Sequence, residues 1–424
     1  MPEPSDREPG VGVPPLRRNR DYVTLTTGQV VEAVGSGMTG MALLLLTYDI
    51  TGSSAQAGLV SAGYGVGQLA MGLPAGALVD RWDRKRTLFV SALLLAAIMA
   101  TVPLAGLLWR ITFAHLMAVG ICEGILASFV WPAGRAAIKT IVPPNQLGSA
   151  ATVNQARMGV GSLLGPTLSG ALFAVSRLAP LAVNAMLYLL AALGYRLIGA
   201  PLPAPERAPD ERRNLATDVR SGLVWVWRTG PVRDMVGVGM VLNLAANGIF
   251  TVAILALQRD GIAATALGLL DSASGAAGLL GALLAGLLLR RLPVGPLTVA
   301  VVWADVAALA LTPLHTSVWW VGAVLCTVTL TIPSVNAGMG AFMMHITPDA
   351  MQGRAGSAST FVSMAMMPLG VGASGFLLEH FGRTAALLIY VALLGLAGLL
   401  VTLSRHIRAI PRTDHFDQVA EAAA

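Results

Sequence analysis

Charged residues are scarce in this sequence of 424 residues. Only 12% of the chain is Asp, Glu, Lys or Arg, whereas 55% is hydrophobic, and the mean hydropathy is +0.70. A soluble domain usually carries about 25% charged residues, so this chain has too few polar side chains to cover its surface in water. We therefore expect a membrane protein.

Cysteine, lysine and enzyme motifs are sparse as well. The two cysteines, Cys122 and Cys326, lie in apolar runs and suggest neither a disulfide framework nor a metal site. Neither Lys85 nor Lys139 follows a glycine, which excludes the phosphate-binding pattern G-x-x-x-x-G-K-S/T of an ATP-driven pump. No histidine precedes a glutamate, so the zinc-protease pattern H-E-x-x-H is absent too. We predict a protein that is not an enzyme and uses no metal or cofactor.

Apolar runs long enough to cross a bilayer as helices recur along the chain. Twelve are predicted, near 22–47, 54–79, 87–108, 111–134, 147–175, 179–199, 232–257, 265–289, 295–313, 317–344, 354–378 and 384–404. The polar N-terminus has no apolar core beside a small-residue cleavage site, so we expect no cleavable signal peptide. Before the seventh run, SGLVWVWR is predicted as a short helix on the membrane surface.

The longest polar interruption after the N-terminal tail divides the twelve runs into two sets of six. We predict an all-α membrane protein with two pseudo-symmetric six-helix bundles. It comprises a cytoplasmic tail (1–21), a first bundle (22–199), a cytoplasmic middle loop (200–231), a second bundle (232–404) and a second cytoplasmic tail (405–424).

The two halves also resemble each other in sequence. VPPNQLGSA at 142–150 aligns with TPDAMQGRA at 347–355, and GPTLSG at 165–170 with GVGASG at 370–375, both at an offset of 205 residues. A repeat of six helices is typical of a transporter whose halves rock about a central site. GVGASG also fits G-x-G-x-x-G, but no strand precedes it, so we interpret it as close helix packing.

Basic residues are distributed unequally over this topology. If the N-terminus is cytoplasmic, Arg157 lies within a helix, and four arginines fall outside, namely Arg110, Arg177, Arg259 and Arg383. All the others of the 28 Lys and Arg fall on the cytoplasmic side, as the positive-inside rule requires. We expect a multi-pass protein of the bacterial cytoplasmic membrane, and the net charge of +6 needs no nucleic-acid partner.

Six charges are crowded into seven positions between the second and third predicted helices. This stretch, GALVDRWDRKR at 76–86, resembles motif A of the major facilitator superfamily, G-x-x-x-D-R/K-x-G-R-R/K. The matching residues are Gly76, Asp80, Arg81, Arg84 and Lys85. Asp83 stands where the family usually has glycine. The Asp-Arg-x-x-Arg form resembles the drug:proton antiporter branch with macrolide-efflux and enterobactin-exporter-like proteins.

The resemblance implies that Asp80 is a conformational latch. In the family the corresponding Asp faces the start of the eleventh helix, whose N-terminus favours a nearby carboxylate by about 0.3–1 kcal/mol when exposed. The contact would join the halves on the cytoplasmic side and favour the outward-open state. For the basic residues of the loop, the alternative is a solvated loop that only sets topology. Asp83 either adds a second anion to the latch or caps the next helix.

The fifth predicted helix contains GVGSLLGPTLSG, which resembles the antiporter motif C of the same superfamily. Its characteristic residues are Gly161, Gly165, Pro166 and Gly170. Glycines four apart let helices approach closely, and a proline can bend a helix, so ordinary packing explains the pattern equally well. Exporters of the family often carry an Arg in the middle of the fourth helix, but Arg110 lies at its outer end here.

Ionisable residues inside the predicted helices are candidate sites, because a charge at the bilayer centre costs at least about 2.5–3.5 kcal/mol. They are Glu32, Glu123, Arg157, Asp271 and Asp305. The resemblance places the first and fourth helices at the central cavity, so Glu32 and Glu123 lead the proton-coupling candidates, followed by Arg157 and Asp271. We expect Arg157 opposite Glu123, as a relay or as a static ion pair. A structural role is expected for Asp305.

Polar and aromatic residues on the predicted cavity helices are candidates for substrate contacts, with packing as the alternative. They are Gln29, Trp131, Asn243, Asn247, Phe250 and Asn336. A sparse polar set among methionine and aliphatic residues suits a bulky, amphipathic ligand.

These patterns and the resemblance predict a secondary active transporter that exports a small amphipathic molecule, such as a drug, a secondary metabolite or a siderophore-like compound. Proton antiport would supply the energy, and we expect a monomer working by alternating access. Import or facilitated movement of a metabolite is the alternative within the same fold. A non-transporting membrane sensor is a second alternative, although no segment has the composition of a soluble output domain.

Overall fold

The structure is a computed structural model that describes residues 15–79, 81–108, 110–203 and 215–416. Every regular element within these ranges is helical. The α-helices are α1 Arg20–Thr51, α2 Ser54–Val79, α3 Arg84–Leu108, α4 Phe113–Ile141, α5 Leu147–Val175, α6 Ala179–Arg196, α7 Leu215–Arg228, α8 Gly230–Arg259, α9 Ala264–Arg291, α10 Val294–Ala310, α11 Val318–Ile346, α12 Gln352–Met364, α13 Met367–Leu403 and α14 Arg405–Arg408.

Local chemistry sets the ends of several helices. Asn19 caps α1 by accepting a hydrogen bond from the Tyr22 N–H (3.1 Å), and Gly52, whose φ of 66° favours glycine, caps the C-terminal end of α1 after Thr51. The Asp83 carboxylate accepts a hydrogen bond from the Arg86 N–H (2.6 Å) at the start of α3. Of the two roles expected for Asp83, the helix cap is therefore confirmed.

Large apolar side chains cover the outside of the bundle. Leu107 is 77% exposed, Leu283 76% and Leu403 75%. Such a surface is unfavourable in water and suits a bilayer. Nine helical segments in the described ranges are long and apolar enough to cross a membrane. The all-α membrane fold is confirmed, whereas the count of twelve crossings stays a prediction.

One predicted span, 354–378, is broken in the structure. α12 ends at Met364, and α13 begins at Met367. Pro368 accounts for the break, because it has no N–H to donate and its ring would clash with the carbonyl of Met364 in a continuous helix. α13 then passes Gly382, where a φ of 76° interrupts the helical backbone, into the twelfth predicted span.

The internal repeat is visible where α5 and α12 begin. A 3₁₀ turn at Pro144–Gln146 leads into α5, and a second turn at Asp349–Met351 leads into α12. The two turns are separated by the same offset of 205 residues that aligns the sequences. The repeat is confirmed at this position, and the domain boundaries drawn from it stay predictions.

Buried apolar clusters follow the two halves of the chain. One cluster takes all its core residues from between Leu25 and Leu202, and another from between Met235 and Phe416. A third cluster includes Leu45 of α1 and Ile254 of α8, and so joins the halves.

The halves meet closely at one end of the bundle, called here the far end, where α1 finishes and α2 begins. The opposite end, where α1 begins and α13 finishes, is called the terminal end. At the far end, the Gln258 side chain donates to the Leu45 carbonyl (2.9 Å). Gly375 of α13 lies against the Ser54 carbonyl of α2, so that a Cβ at position 375 would overlap it. The interpretation of GVGASG as close helix packing is therefore confirmed.

Glu379 of α13, in the second half, forms hydrogen bonds with the start of α2, in the first half. Its Oε2 accepts hydrogen bonds from Ser53 Oγ (2.7 Å) and from the Ala55 N–H (2.8 Å). The carboxylate thus lies at the N-terminus of α2, where the helix dipole favours negative charge. It acts as an N-terminal cap supplied by the opposite half, and separation of the halves at the far end would break both bonds.

Replacing Glu379 with Gln should weaken the closure of the far end. The variant keeps the length of the side chain but loses the charge, which is worth about 0.3–1 kcal/mol at an exposed helix terminus, so the population with an open far end should rise by up to about fivefold. Spin labels on α2 and α13 would report that population by distance. Asp260→Asn is the matched control, because Asp260 pairs with Arg383 of its own half (2.9 Å). Equal distance changes in both variants would show that Glu379 has no special part in the closure.

Candidate functional site

A cavity of about 990 Å³ lies between the halves on the terminal side of the bundle. Its walls come from α1, α2, α4 and α5 in the first half, and from α12 and the start of α13 in the second. Since the halves are in close contact at the far end, the cavity reaches the surface at the terminal end, beside the exposed Arg135.

Glu32 and Arg157 form an ion pair on the wall of this large cavity. Arg157 Nη1 lies 3.7 Å from Glu32 Oε2, and both side chains are largely buried. The guanidinium also donates to the Gln29 carbonyl (3.3 Å) and to Asn154 Oδ1 (3.0 Å). A buried cation needs such partners, because its lost hydration is otherwise uncompensated.

Close packing of α5 on α1 brings this pair together. Gly165 lies against Gly37, where a Cβ at position 165 would come within 2.5 Å of the Gly37 carbonyl carbon. One turn earlier, a Cβ at Gly161 would come within 2.6 Å of the Ala33 carbonyl oxygen. Larger side chains at either glycine would push α5, and with it Arg157, away from α1.

The remaining motif C-like residues lie farther along α5. Gly170 packs against the Ala264 backbone of α9 in the second half, and α5 continues as a helix through Pro166. The interpretation of these glycines as helix-packing residues is therefore confirmed. Their role as an antiporter motif stays a prediction.

The expected pairing of Arg157 with Glu123 is wrong. The pairing requires consecutive helices to be neighbours, but α4 packs mainly on α2 and α3, whereas α5 packs mainly on α1 and α9. Glu123 instead accepts a hydrogen bond from Tyr188 Oη of α6 (3.3 Å). It is only 1% exposed, and its Oε2 has no hydrogen-bond partner among the described residues.

A smaller cavity of about 290 Å³ lies deeper, toward the far end. Glu123 of the first half and Asp271 of the second half both line it. Tyr64 lines this cavity and the large one, which shows that the two adjoin. Of the predicted substrate contacts, Asn247 and Phe250 lie here.

A third cavity, of about 600 Å³, is formed by the second half alone. It adjoins the large cavity at Thr360 and Met364 of α12. Two of the predicted substrate contacts, Asn243 and Asn336, line it. Five methionines also line it, namely Met235, Met339, Met343, Met344 and Met364. None of the described residues on its wall is charged.

The two other predicted substrate contacts, Gln29 and Trp131, line the large cavity. The Arg135 guanidinium lies over the Trp131 ring, 5.3 Å from its centroid, within the range of a cation–π contact. All six predicted residues therefore lie on cavity walls, and their part in substrate binding stays a prediction.

The motif A loop is fixed to its own half. Arg84 Nη1 donates to the Pro203 carbonyl (2.8 Å), and Lys85 Nζ donates to the Ile198 carbonyl. Both acceptors belong to the chain that follows α6. Asp80 lies outside the described residues, so its role as a latch between the halves stays a prediction.

Two other motif A residues have open surroundings. Arg81 is exposed to solvent. Gly76 lies within α2, and no atom of the described residues lies within 4 Å of the position that a Cβ would take there. Packing against the described residues therefore does not account for glycine at position 76.

Asp305 lies apart from the three cavities described above. It accepts a hydrogen bond from Thr331 Oγ1 (2.9 Å), which ties α10 to α11. This contact agrees with the structural role predicted for Asp305.

Two features of the cavities go beyond the predictions, namely the position of Tyr64 and the accumulation of methionines on one wall. Tyr64 lies in a helix of mostly small residues, and its sequence context does not mark it. The methionines do carry a signal, because Met339 and Met343 are four residues apart and so share one face of α11.

As for metals, no three His, Cys, Asp or Glu side chains converge within the described part of the chain.

The family follows from the sequence profile of the Major Facilitator Superfamily, which matches residues 25–370. The chain belongs to this family and is a membrane transporter. A solved structure of the nucleoside transporter NupG (D323A mutant) superimposes with a TM-score of 0.74 at 14% identity, over 90% of this chain and 98% of that one. A bacterial homologue of the iron transporter ferroportin, in an inward-facing state, gives 0.69 at 16% identity, over 90% and 98%. At these identities the likeness shows the fold alone.

Curated relatives carry the names of efflux proteins. The multidrug efflux pump Tap of Mycolicibacterium fortuitum is 28% identical over 388 residues, which are 87% of this chain and 90% of that protein. Macrolide efflux protein A of Streptococcus pyogenes is 24% identical over 181 residues, 42% of this chain and 45% of that protein. These relatives agree with the drug-efflux branch that the motif A loop resembles.

Replacing Arg157 with Gln should destabilise the folded protein, because Glu32 would stay buried without its counter-charge. Breaking a buried ion pair costs about 3–5 kcal/mol, whereas removing both charges is often close to neutral. We therefore expect a marked fall of the Tm in detergent for Arg157→Gln and a partial recovery in the double variant with Glu32→Gln. A double variant as unstable as Arg157→Gln would contradict the pairing.

Proposed function

We propose that this transporter exports a small, amphipathic molecule in exchange for protons, by alternating access across the bacterial cytoplasmic membrane. The difference between the cavity walls of the two halves carries the proposal. In the large cavity the first half supplies the ion pair of Glu32 and Arg157, whereas the adjoining cavity formed by the second half is lined by methionines and neutral amides and by no charged residue among those described. A molecule with an apolar body and a polar group fits such a pair of walls.

Methionine suits the apolar part of this site. Its side chain is unbranched and polarizable, so it adapts to ligands of different shape and makes favourable contacts with aromatic rings. Protein surfaces rich in methionine are often promiscuous for the same reason. A neutral wall with several methionines therefore supports a range of related substrates rather than one.

Export as the direction is supported by two observations. The relatives named above are efflux proteins, one of them matched over 87% of this chain. The distribution of basic residues favours a cytoplasmic terminal end, and the large cavity reaches the surface at that end. In this conformation the site would accept its substrate from the cytoplasm.

Proton coupling is supported by the two carboxylates of the deep cavity. Glu123 and Asp271 come from opposite halves and line the same small space while the far end is closed. Two ionised carboxylates there would repel each other, so a proton on one of them favours closure. Opening of the far end would separate them, which links protonation to the conformational change. Glu32 adds a carboxylate whose protonation would release Arg157.

Glu32→Gln should abolish proton-driven efflux and leave substrate binding by the folded protein largely intact, although the Tm should fall because Arg157 loses its counter-charge. Glutamine keeps the size of the side chain but does not release or accept a proton at neutral pH. Ethidium would be the probe in reconstituted vesicles with an imposed pH gradient, and its binding would be followed separately by fluorescence anisotropy. Asp305→Asn is the matched control, because Asp305 is a buried carboxylate outside the three cavities. Unchanged gradient-driven transport by Glu32→Gln would remove Glu32 from the mechanism.

Expression in a host without its main efflux pumps should raise resistance to amphipathic antibiotics and dyes. Asp80→Asn, expressed at a matched level, should lose that resistance, because the latch between the halves is weakened. Susceptibility to a broad panel, with small hydrophilic compounds and siderophore-like compounds included, measures both effects. Unchanged or increased susceptibility across the panel would speak against drug export and favour uptake or one narrow natural substrate.

A further inference from the structure

The helix between the two halves, α7, has an inner face that the protein itself covers. Val226 is fully buried, in a cluster with Val232 of α8 and Ala358 of α12. Gly222 lies against the Arg354 carbonyl, where a Cβ at position 222 would come within 2.5 Å. α7 is therefore packed against the start of α12.

The outer face of α7 combines apolar and basic side chains. Arg220, Val224 and Trp227 follow one another at spacings of four and three residues, and Arg228 lies beside them, so all four share one side of the helix. Trp227 is 51% exposed and Val224 40%, and both arginines are exposed as well. An exposed tryptophan between two arginines is unfavourable in water and typical of a membrane interface.

The position of α7 in the chain places this face at the bilayer surface. Only Thr229 separates the end of α7 from α8, which is a membrane-spanning helix. This is the terminal end of the bundle, which the basic residues assign to the cytoplasm. The cytoplasmic leaflet carries the anionic lipids that attract arginines next to a membrane helix.

We propose that the outer face of α7 binds the headgroups of anionic phospholipids. Arg220 and Arg228 pair with lipid phosphates, and Trp227 with Val224 enters the boundary between headgroups and acyl chains. α12 transmits the effect, because Ala358 faces α7 while Thr360 and Met364 line the large cavity. An anionic lipid on α7 thus holds one wall of the cavity in place.

Quenching of Trp227 fluorescence by brominated lipids tests this proposal. The full-length protein is reconstituted with brominated phosphatidylglycerol or with brominated phosphatidylcholine at equal mole fraction. The difference between the wild type and Trp227→Phe isolates the signal of this one tryptophan. We expect quenching by phosphatidylglycerol to exceed quenching by phosphatidylcholine about twofold, because each arginine favours the anionic lipid.

Variants separate charge recognition from simple burial. The preference for phosphatidylglycerol should disappear in Arg220→Gln/Arg228→Gln and persist in Arg220→Lys/Arg228→Lys. It should also persist in Arg290→Gln/Arg291→Gln, which removes the same charge from the terminal end of α9. Size-exclusion chromatography checks that each variant is folded, and the comparison of the two lipids in the wild type does not depend on any variant.

Three results would overturn the proposal. Equal quenching by both lipids would show an apolar contact without charge recognition. No quenching by either lipid would show that the face meets water or another partner. A lipid preference that survives in Arg220→Gln/Arg228→Gln would place the anionic lipid elsewhere. The link to the cavity is tested by hydrogen exchange of α12, which should be slower in phosphatidylglycerol than in phosphatidylcholine and equal in both for the glutamine variant.

Discussion

Close backbone contact between α5 and its two neighbours is the constraint on which the rest of the structure depends. Gly165 meets Gly37 of α1, and Gly170 meets Ala264 of α9. The first contact places Arg157 beside Glu32, and the second joins the halves near the far end. Because no side chain fits between these backbones, α5 cannot shift without disturbing both the ion pair and the contact between the halves.

Much of the architecture could be predicted from the sequence, because composition and hydropathy fix which segments are helical and membrane-exposed. The repeat could be predicted as well, since Pro144 and Asp349 occupy equivalent turns before equivalent helices. The partner of Arg157 could not, because it depends on which helices are neighbours in space. Sequence order suggested α4, whereas the glycines of α5 select α1.

The residues of the cavities also include some that could be predicted from the sequence and others that could not. Residues such as Gln29 and Asn247 could be predicted, because polar side chains are rare in apolar helices and their helices were assigned to the cavity by resemblance. The shared cavity of Glu123 and Asp271 could not be predicted, since it requires the relative placement of the two halves. Methionine is expected on the cavity walls in general, but its accumulation on the second-half wall could not be predicted, because methionine is also an ordinary packing residue.

The break between α12 and α13 has a mechanical consequence. The backbone hydrogen bonds that stiffen a helix are interrupted before Pro368. The thirteen residues of α12 therefore form a separate short helix, joined to α13 at a hinge position, Ala365–Met366. A rotation of α12 at this break would not bend the longer helix that carries Glu379 at the other end. Rotation about this break would therefore change the width of the terminal entrance without breaking the contacts of Glu379 with the start of α2.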